Sequence, residues 1–452
     1  MKHGNALFVT CTYLLIFSAL LYALAFIYST WLWWLVFVYA IPLFYAASMY
    51  RLTAWHGLLW GSIFFTVQSA GVGVSLYHMA TGPWYMCIVP GLLIVGYLTL
   101  FPVVLFGLLD YVARSISPSH VVTLILWTGG LCGMTSIIDW YCFIPLGTMQ
   151  GYTIMNPLIP LVTYPQLLRL VPYLGVEVMM LLLLAVAATI TACIIYRSYT
   201  AMCCALLVSL PWLIVLCLPM RHTQAPTWLS RIAVLPIVYP TLGNGAVAAQ
   251  SLLHDLSSIV HQHPSVDIVI VPESALTGLL IDQLCQRKWP ERCAQVHLIA
   301  GSNSWMNGRY CNCALWIKGG ERKACFAKRR LIPPIEYMPR ACSGLHSLYF
   351  SCNIAMEPSD NERPCFKLDA TMHCVPYICS ELFLSVAPDD TYESPLILLV
   401  HDAWCKAEYL VQCMYLCARF KAIAWQRDVV YASFFHAAWL STTGDAIPLI
   451  RA

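Results

Sequence analysis

Charge is what this sequence has least of. Only 10% of its 452 residues are Asp, Glu, Lys or Arg, against about 25% in a soluble globular protein, which argues against a soluble cytosolic enzyme. The shortage is also local. Residues 1–220 carry Lys2, Arg51, Asp110, Arg114, Asp139, Arg169, Glu177 and Arg197 and no other charged side chain, so eight of 47 fall in that half. Two physically different segments therefore share the chain, residues 1–220 and 221–452. Clusters of Lys and Arg are lacking too. With a net charge of +3, no nucleic-acid partner is expected, because neutralising a phosphate backbone takes clustered cations. The composition of a disordered chain is missing as well, since 60% of residues are hydrophobic and 13% aromatic. Metal-ligand spacing is absent from Cys311-Asn312-Cys313 and His373-Cys374, so no metal and no cofactor is expected.

What the first segment does have is length in apolar runs. A helix needs about 20 apolar residues to cross a hydrocarbon core, and seven stretches qualify, at about 7–28, 31–50, 57–77, 84–109, 120–146, 170–196 and 200–219. The first has no small-residue cleavage site and a second apolar run follows at once, so it reads as a retained span. Seven spans put Lys2, Arg51, Arg114 and Arg197 on one side and only Arg169 in a short loop on the other. That bias predicts a cytoplasmic N-terminus and a second segment on the opposite face, the periplasm in a bacterium. Between the fifth and sixth spans, the proline-rich apolar stretch 144–172 is either an interfacial segment or an ordinary loop.

From Arg221 onward short β-branched runs alternate with polar or helical stretches, the pattern of an α/β domain. The clearest runs are 232–238, 267–271, 296–300, 313–317, 375–379 and 395–400, with helical periodicity over 247–262 and 404–426. Three strands end in reactive groups. One runs into Glu273-Ser274, one into Lys328-Arg329-Arg330, and one into Cys379-Ser380-Glu381. Singly, such residues are most often a solvated charge or a core thiol; their joint order is the signal. His254, His261 and His263 cluster near a helix end and read as a solvated face rather than a ligand set.

In Pro272-Glu273-Ser274, in Lys328 through Pro339 (KRRLIPPIEYMP), in Ile378-Cys379-Ser380-Glu381 and in His401-Asp402-Ala403-Trp404, the sequence resembles the nitrilase superfamily and, within it, the bacterial apolipoprotein N-acyltransferases. Gln412, Lys421-Ala422 and Arg427 fit the helix that follows, and 146–151 with 170–176 resemble that family's approach to its sixth span. The resemblance implies a polytopic α-helical membrane domain followed by an α/β nitrilase-like αββα sandwich. It also implies a catalytic triad of Glu273, Lys328 and Cys379. Glu273 would be the general base, Cys379 the nucleophile, and Lys328 the group that stabilises the oxyanion. Glu336 would orient Lys328 or the acceptor, unless it is a surface charge, and Glu381 would support the nucleophile from behind.

The implied reaction passes an acyl chain from a phospholipid donor to Cys379 as a thioester, then to an amine acceptor such as a lipoprotein N-terminus, at the bacterial inner membrane. Leu382-Phe383-Leu384 and Trp305-Met306 would be apolar lids or core. The sequence departs from the family at Ser380, where Tyr is usual, and at Ala424, Pro334-Ile335 and Phe434-Phe435-His436. No closing span precedes Ala452, so the domain would be tethered at one end only. These departures bear on the substrate more than on the triad and fit the plasmid conjugal transfer protein TraB group, which resembles the same acyltransferases. An amidase-type hydrolase with water as acceptor, and a non-catalytic conjugal-transfer protein that kept the fold, remain alternatives; oligomeric state is left open. With Cys379 kept free, twelve other cysteines form an even set in the second segment. That number is compatible with disulfides in an oxidising periplasm, Cys285 with Cys293 and Cys342, Cys352, Cys365 and Cys374 among them.

Overall fold

The computed structural model describes residues 2–79, 85–116, 118–141, 156–219, 223–236, 245–306, 308–331, 336, 356–358, 364–383 and 394–451. They form two compact units. One gathers the N-terminal apolar helices together with Cys405–Phe420; the other gathers Thr223 through Trp404 and the chain from Lys421 onward. Most of the motif after Lys328 and the segment around Cys342 and Cys352 lie outside the described residues.

Among the described residues, seven helices of the first unit are long and apolar enough to cross a membrane: Phe8–Ile27, Ser29–Met49, Ala54–Ser75, Gly91–Ile116, His120–Asp139, Val176–Tyr196 and Tyr199–Cys217. Several boundaries differ from the sequence reading by a few residues, and two of the differences have a local reason. The fourth apolar stretch was expected over about 84–109, just short of Asp110. Its helix instead runs on to Ile116, since the buried Asp110 carboxylate accepts from Arg51 Nε at 2.6 Å and, one turn along, from Arg114 Nη2 at 2.7 Å. The sixth span begins at Val176 rather than near 170, because Gly175 with φ +83° separates it from the short helix Val171–Leu174.

The described part of the proline-rich connection, from residue 156, is packed into the unit. Pro160–Thr163 and Pro165–Leu168 form 3-10 turns that bury Leu161, Val162, Leu167 and Leu168. Asn156, itself buried, donates from Nδ2 to Asp139 Oδ2 at 2.7 Å and gives that buried carboxylate a partner. Within the same unit Tyr409 Oη donates to the Gln68 carbonyl at 2.8 Å and accepts from Gly71 N at 2.6 Å.

The second unit is a sandwich of two six-stranded sheets. Its strands are β1 (Ile232–Val234), β2 (Ile268–Thr277), β3 (His297–Met306), β4 (Arg309–Lys318), β5 (Glu321–Ala327), β6 (Phe366–Lys367), β7 (His373–Ile378), β8 (Leu396–Leu399), β9 (Val429–Ala432), β10 (Ala437–Leu440), β11 (Ala446–Pro448) and β12 (Ile450–Arg451). The first sheet has the order β12-β1-β2-β3-β4-β5, the second β11-β10-β9-β8-β7-β6. Each has a parallel centre continued by an antiparallel meander, β3-β4-β5 in one and β9-β10-β11 in the other. β2 packs against β8 and β9, and β4 against β7. The layers are those expected, a part built of long apolar helices followed by an αββα sandwich.

Alternation along the strands decides what faces what. Val269 and Val271 of β2, and Cys311, Cys313, Leu315 and Ile317 of β4, join Leu252, Leu256, Leu280 and Leu284 of the helices α1 (Gly245–Gln262) and α2 (Gly278–Gln286) in one apolar core. The residues between them, including Asn312, therefore point to the opposite face, where the sheets meet. Helix α3 (Glu408–Trp425) ends with the Trp425 ring 6.1 Å from Tyr377 of β7.

One glycine sets the shape of β2 at its functional end. The β2–β3 register slips between Val271↔Ala300 and Leu276↔Ser302, so Pro272 through Ala275 form a bulge opposite the single residue Gly301. A Cβ at Gly301 would lie 2.4 Å from Glu273 Cα and 2.5 Å from the Pro272 carbonyl oxygen. Both are backbone atoms, so no side chain can move aside. Gly301→Ala is expected to cost about 1–3 kcal/mol through overpacking, and thermal unfolding of the purified protein should register the loss. An unchanged midpoint would mean that the bulge tolerates a side chain there.

Candidate active site

Five residues singled out from the sequence, Glu273, Lys328, Glu336, Cys379 and Glu381, are held within the second unit by strand ends. Glu273 sits in the β2 bulge, followed by Ser274 with φ +56°. Lys328 follows β5 directly, its backbone N–H donating to the Asn312 carbonyl at 2.7 Å. Cys379 follows β7 and opens the 3-10 turn Cys379–Phe383 with φ +39°. A non-glycine residue in the left-handed region stores strain on the order of 1–3 kcal/mol and is concentrated at functional sites. Here two such residues flank or form the same site.

The centre of the site is a buried ion network. Lys328 Nζ donates to Glu273 Oε1 at 3.0 Å and to Glu336 Oε1 at 2.7 Å. Asn312 Nδ2 bridges the same two carboxylates, at 2.7 Å from Glu273 and 3.0 Å from Glu336. The second oxygen of Glu273 accepts the His401 backbone N–H at 2.9 Å. Lys328 is only 1% exposed and Glu273 3%, so neither charge is screened by water.

Around Cys379 the electrostatics favour the thiol. Burial pushes it well above its ordinary value, and Glu273, through its charge and a hydrogen bond, and Glu336 push the same way; Lys328 opposes them. Burial alone would raise the Glu273 carboxyl too, but Lys328, His401 and Asn312 together hold it below the usual carboxylate range. For Lys328 burial would favour the neutral amine, and the two carboxylates outweigh it and hold the ammonium in place. The resting arrangement is thus an ionised Glu273, a cationic Lys328 and a protonated Cys379, a base set beside an acid of higher pKa.

Glu381 and Ser380 tie the two working loops together. Glu381, fully buried, accepts the Arg329 backbone N–H on Oε1 at 3.1 Å and the Ile378 N–H on Oε2 at 3.0 Å, one on each side of the gap between Lys328 and Cys379. Ser380 Oγ donates to the Arg330 carbonyl at 2.6 Å. The Ser in the expected Tyr position therefore has a bond of its own. Nearby, Asp402 Oδ1 accepts the Phe434 N–H at 2.9 Å and the Phe434 ring meets His401 edge-on at 5.0 Å.

Asn312 and Gly301 are the site residues that sequence reasoning passed over. Asn312 was noticed only as the spacer of Cys311-Asn312-Cys313, whereas strand alternation turns the two thiols to the helix core and the amide to the site. Alternation was the available signal. Gly301 had none, because a register slip is invisible along one strand. Leu382 is buried and Trp305 is 60% exposed, so the two proposed lid segments differ; Leu384 lies outside the described residues. Cys285, Cys293 and Cys374 are free thiols, where the sequence was compatible with disulfides. Cys293 instead sits 3.1 Å from the Ser257 hydroxyl inside the apolar core. No group of three or more metal-ligating side chains occurs among the described residues.

No family model and no curated protein matches the sequence. Among solved structures the chain is similar to a carbon-nitrogen hydrolase from Helicobacter pylori G27, at 14% identity and TM-score 0.34, covering 49% of this chain and 86% of that one. It is similar as well to a CN-hydrolase superfamily protein from Xanthomonas campestris, at 16% identity and TM-score 0.32, covering 47% and 83%. A glutamine-dependent NAD+ synthetase from Acinetobacter baumannii matches at 14% identity and TM-score 0.30, with 47% of this chain covering 42% of that one, less than half its length.

The charge balance around the thiol has a measurable sign. Glu273→Gln removes the nearest negative charge and leaves Lys328, so the Cys379 thiol should titrate at lower pH. Alkylation by iodoacetamide at pH 8 should then be faster than in the wild type. Lys328→Met should move the titration the other way. A Glu273→Gln protein whose thiol titrates at the same or higher pH would contradict the arrangement.

Proposed function

We propose that this protein is a membrane acyltransferase that moves an acyl chain from a phospholipid, through a thioester on Cys379, to an amine such as the N-terminus of a lipoprotein. The observation that carries the proposal is the buried network of Lys328 with Glu273 and Glu336, with the Cys379 thiol hydrogen-bonded to Glu273. Glu273 takes the thiol proton as Sγ attacks the ester carbonyl, and the negative oxygen that develops is met by Lys328 Nζ. Two of the three ammonium N–H bonds are taken by Glu273 and Glu336, which leaves the third for the oxyanion. The tetrahedral intermediate then collapses, the C–O bond breaks, and Glu273 returns the proton to the departing lysophospholipid alcohol. In the second half the amine attacks the thioester, Glu273 accepts its proton, and the thiol is regenerated.

Glu336, Asn312 and Glu381 are positioning residues in this scheme. Glu336 and Asn312 hold Lys328 and Glu273 at hydrogen-bond range, and Glu381 sets the turn that presents Cys379. The seven spans supply the reason for a lipid donor. Moving a two-tailed lipid out of hydrocarbon costs about 0.8 kcal/mol per CH₂, so a membrane-tethered site avoids extracting it. The basic residues Lys2, Arg51, Arg114 and Arg197 favour a cytoplasmic N-terminus and a catalytic domain on the outer face of a bacterial inner membrane.

Intact-mass analysis after incubation with phospholipid tests the scheme. A one-acyl mass increase is expected on the wild type and not on Cys379→Ala, with transfer of that mass to a lipopeptide amine. Glu273→Gln should slow adduct formation by a factor on the order of 10²–10⁴. Release of free fatty acid in place of transfer would assign a hydrolase. No adduct, under conditions where a control acyltransferase forms one, would remove both enzymatic readings.

A further inference from the structure

The first unit holds a feature the proposed reaction does not use. A groove of about 800 Å³ lies among the helices His120–Asp139, Val176–Tyr196 and Tyr199–Cys217, within the roughly 300–1,000 Å³ range of small-molecule sites. It is hollowed by small residues, Gly129, Ala185, Ala188, Ala192 and Ala201. A Cβ at Gly129 would meet no atom within 4 Å among the described residues.

The lining presents almost no polarity to an occupant. Thr128 Oγ1 donates to the Leu124 carbonyl at 2.7 Å, and Thr189 Oγ1 to those of Ala185 and Val186 at 2.9 and 3.0 Å, so both turn methyl groups outward. Ser198 Oγ is engaged by the Thr200 backbone N–H at 3.2 Å as the cap of the last helix. In a helix of membrane-spanning length and composition, the medium outside such a groove is lipid hydrocarbon.

Its extent selects the occupant. The lining runs from Val121 to Gly129 on one helix and from Tyr196 back to Leu181 on the next, rises of about 12 and 22 Å. That is about one leaflet of a hydrocarbon core roughly 30 Å thick. On His120–Asp139 and Tyr199–Cys217 the lining keeps to the half nearest Tyr196, so the groove opens at that end and offers a packed partner helix no full-length seam on those two helices. That end carries the exposed Tyr196, Arg197 and Tyr199, with His120 edge-on to Tyr196 at 6.2 Å, the aromatic and basic residues that sit at headgroup level.

We propose that this groove is a binding site for one acyl chain of a glycerophospholipid, with the lipid phosphate at Arg197. The site is built from the first unit alone and does not depend on Cys379 chemistry.

The test uses the full-length protein in nanodiscs containing phosphatidylglycerol with a diazirine in its acyl chain. After illumination, label is expected on peptides from the three helices around the groove. Gly129→Phe fills the groove from a position where a Cβ meets no described atom within 4 Å, and should cut that labelling by about tenfold, equivalent to about 1.4 kcal/mol. Gly96→Phe, on an exposed position of another helix, should leave it unchanged and controls for the bulky substitution. Arg197→Gln should lower labelling by the phospholipid but not by a diazirine fatty alcohol of equal length. Equal labelling of wild type and Gly129→Phe, or label spread over all exposed helix faces, means annular lipid only and overturns the proposal. So does an unlabelled wild type that is a dimer and becomes a monomer on Gly129→Phe, since the groove would then hold a helix of a second copy. If Arg197→Gln alters neither probe, the phosphate contact is wrong.

Discussion

Everything about the second unit's functional end depends on keeping one ammonium buried between two carboxylates. Taking Lys328, Glu273 and Glu336 out of water costs several kcal/mol per ion, and only close, well-oriented contact repays it. The network cannot be assembled from one segment. Glu273 comes from a bulge in β2, Lys328 from the end of β5, Glu336 from beyond it, and the His401 N–H from the end of β8. Two sheets must already be stacked for these ends to meet.

That requirement explains the backbone around the site. The β2 bulge turns Glu273 out of its strand's regular alternation, and Gly301 permits the close approach of the neighbouring strand. The left-handed Cys379 lifts the thiol off the end of β7. Glu381 then fixes the spacing by holding one N–H from each loop. The Glu381 hydrogen bonds hold the turn at Cys379, and the contacts with Glu273 and Glu336 offset the desolvation of Lys328, so the site is assembled without a substrate. A preorganised site of this kind has little to rearrange as charge develops on a reacting oxygen.

The first unit handles buried polarity in the same way with fewer groups. Asp110 lies between two arginines, and Asp139 is met by Asn156 from the proline-rich connection. Elsewhere its hydroxyls bond to their own helix carbonyls, as at Thr128, Thr135 and Thr191. The surfaces left over, including the groove at Gly129, are hydrocarbon-like.

Composition and periodicity alone separated an apolar half from an α/β half, counted seven spans and located most central strands, because burial in lipid and burial in a sheet each impose a period along the chain. Glu273, Lys328 and Cys379 each close an apolar run, but it was the motifs around them, through the family they resemble, that singled them out together. Tertiary structure decided the rest. The length of the helix through Asp110 depends on Arg51, 59 residues away. The role of Asn312 depends on which face of β4 meets the second sheet, and the free state of Cys293 on what surrounds it in the core. A sequence records local pattern, whereas the pairing of a buried charge is a contact between distant segments. Only the folded chain brings those segments within the 3 Å at which one buried ion is stabilised by another.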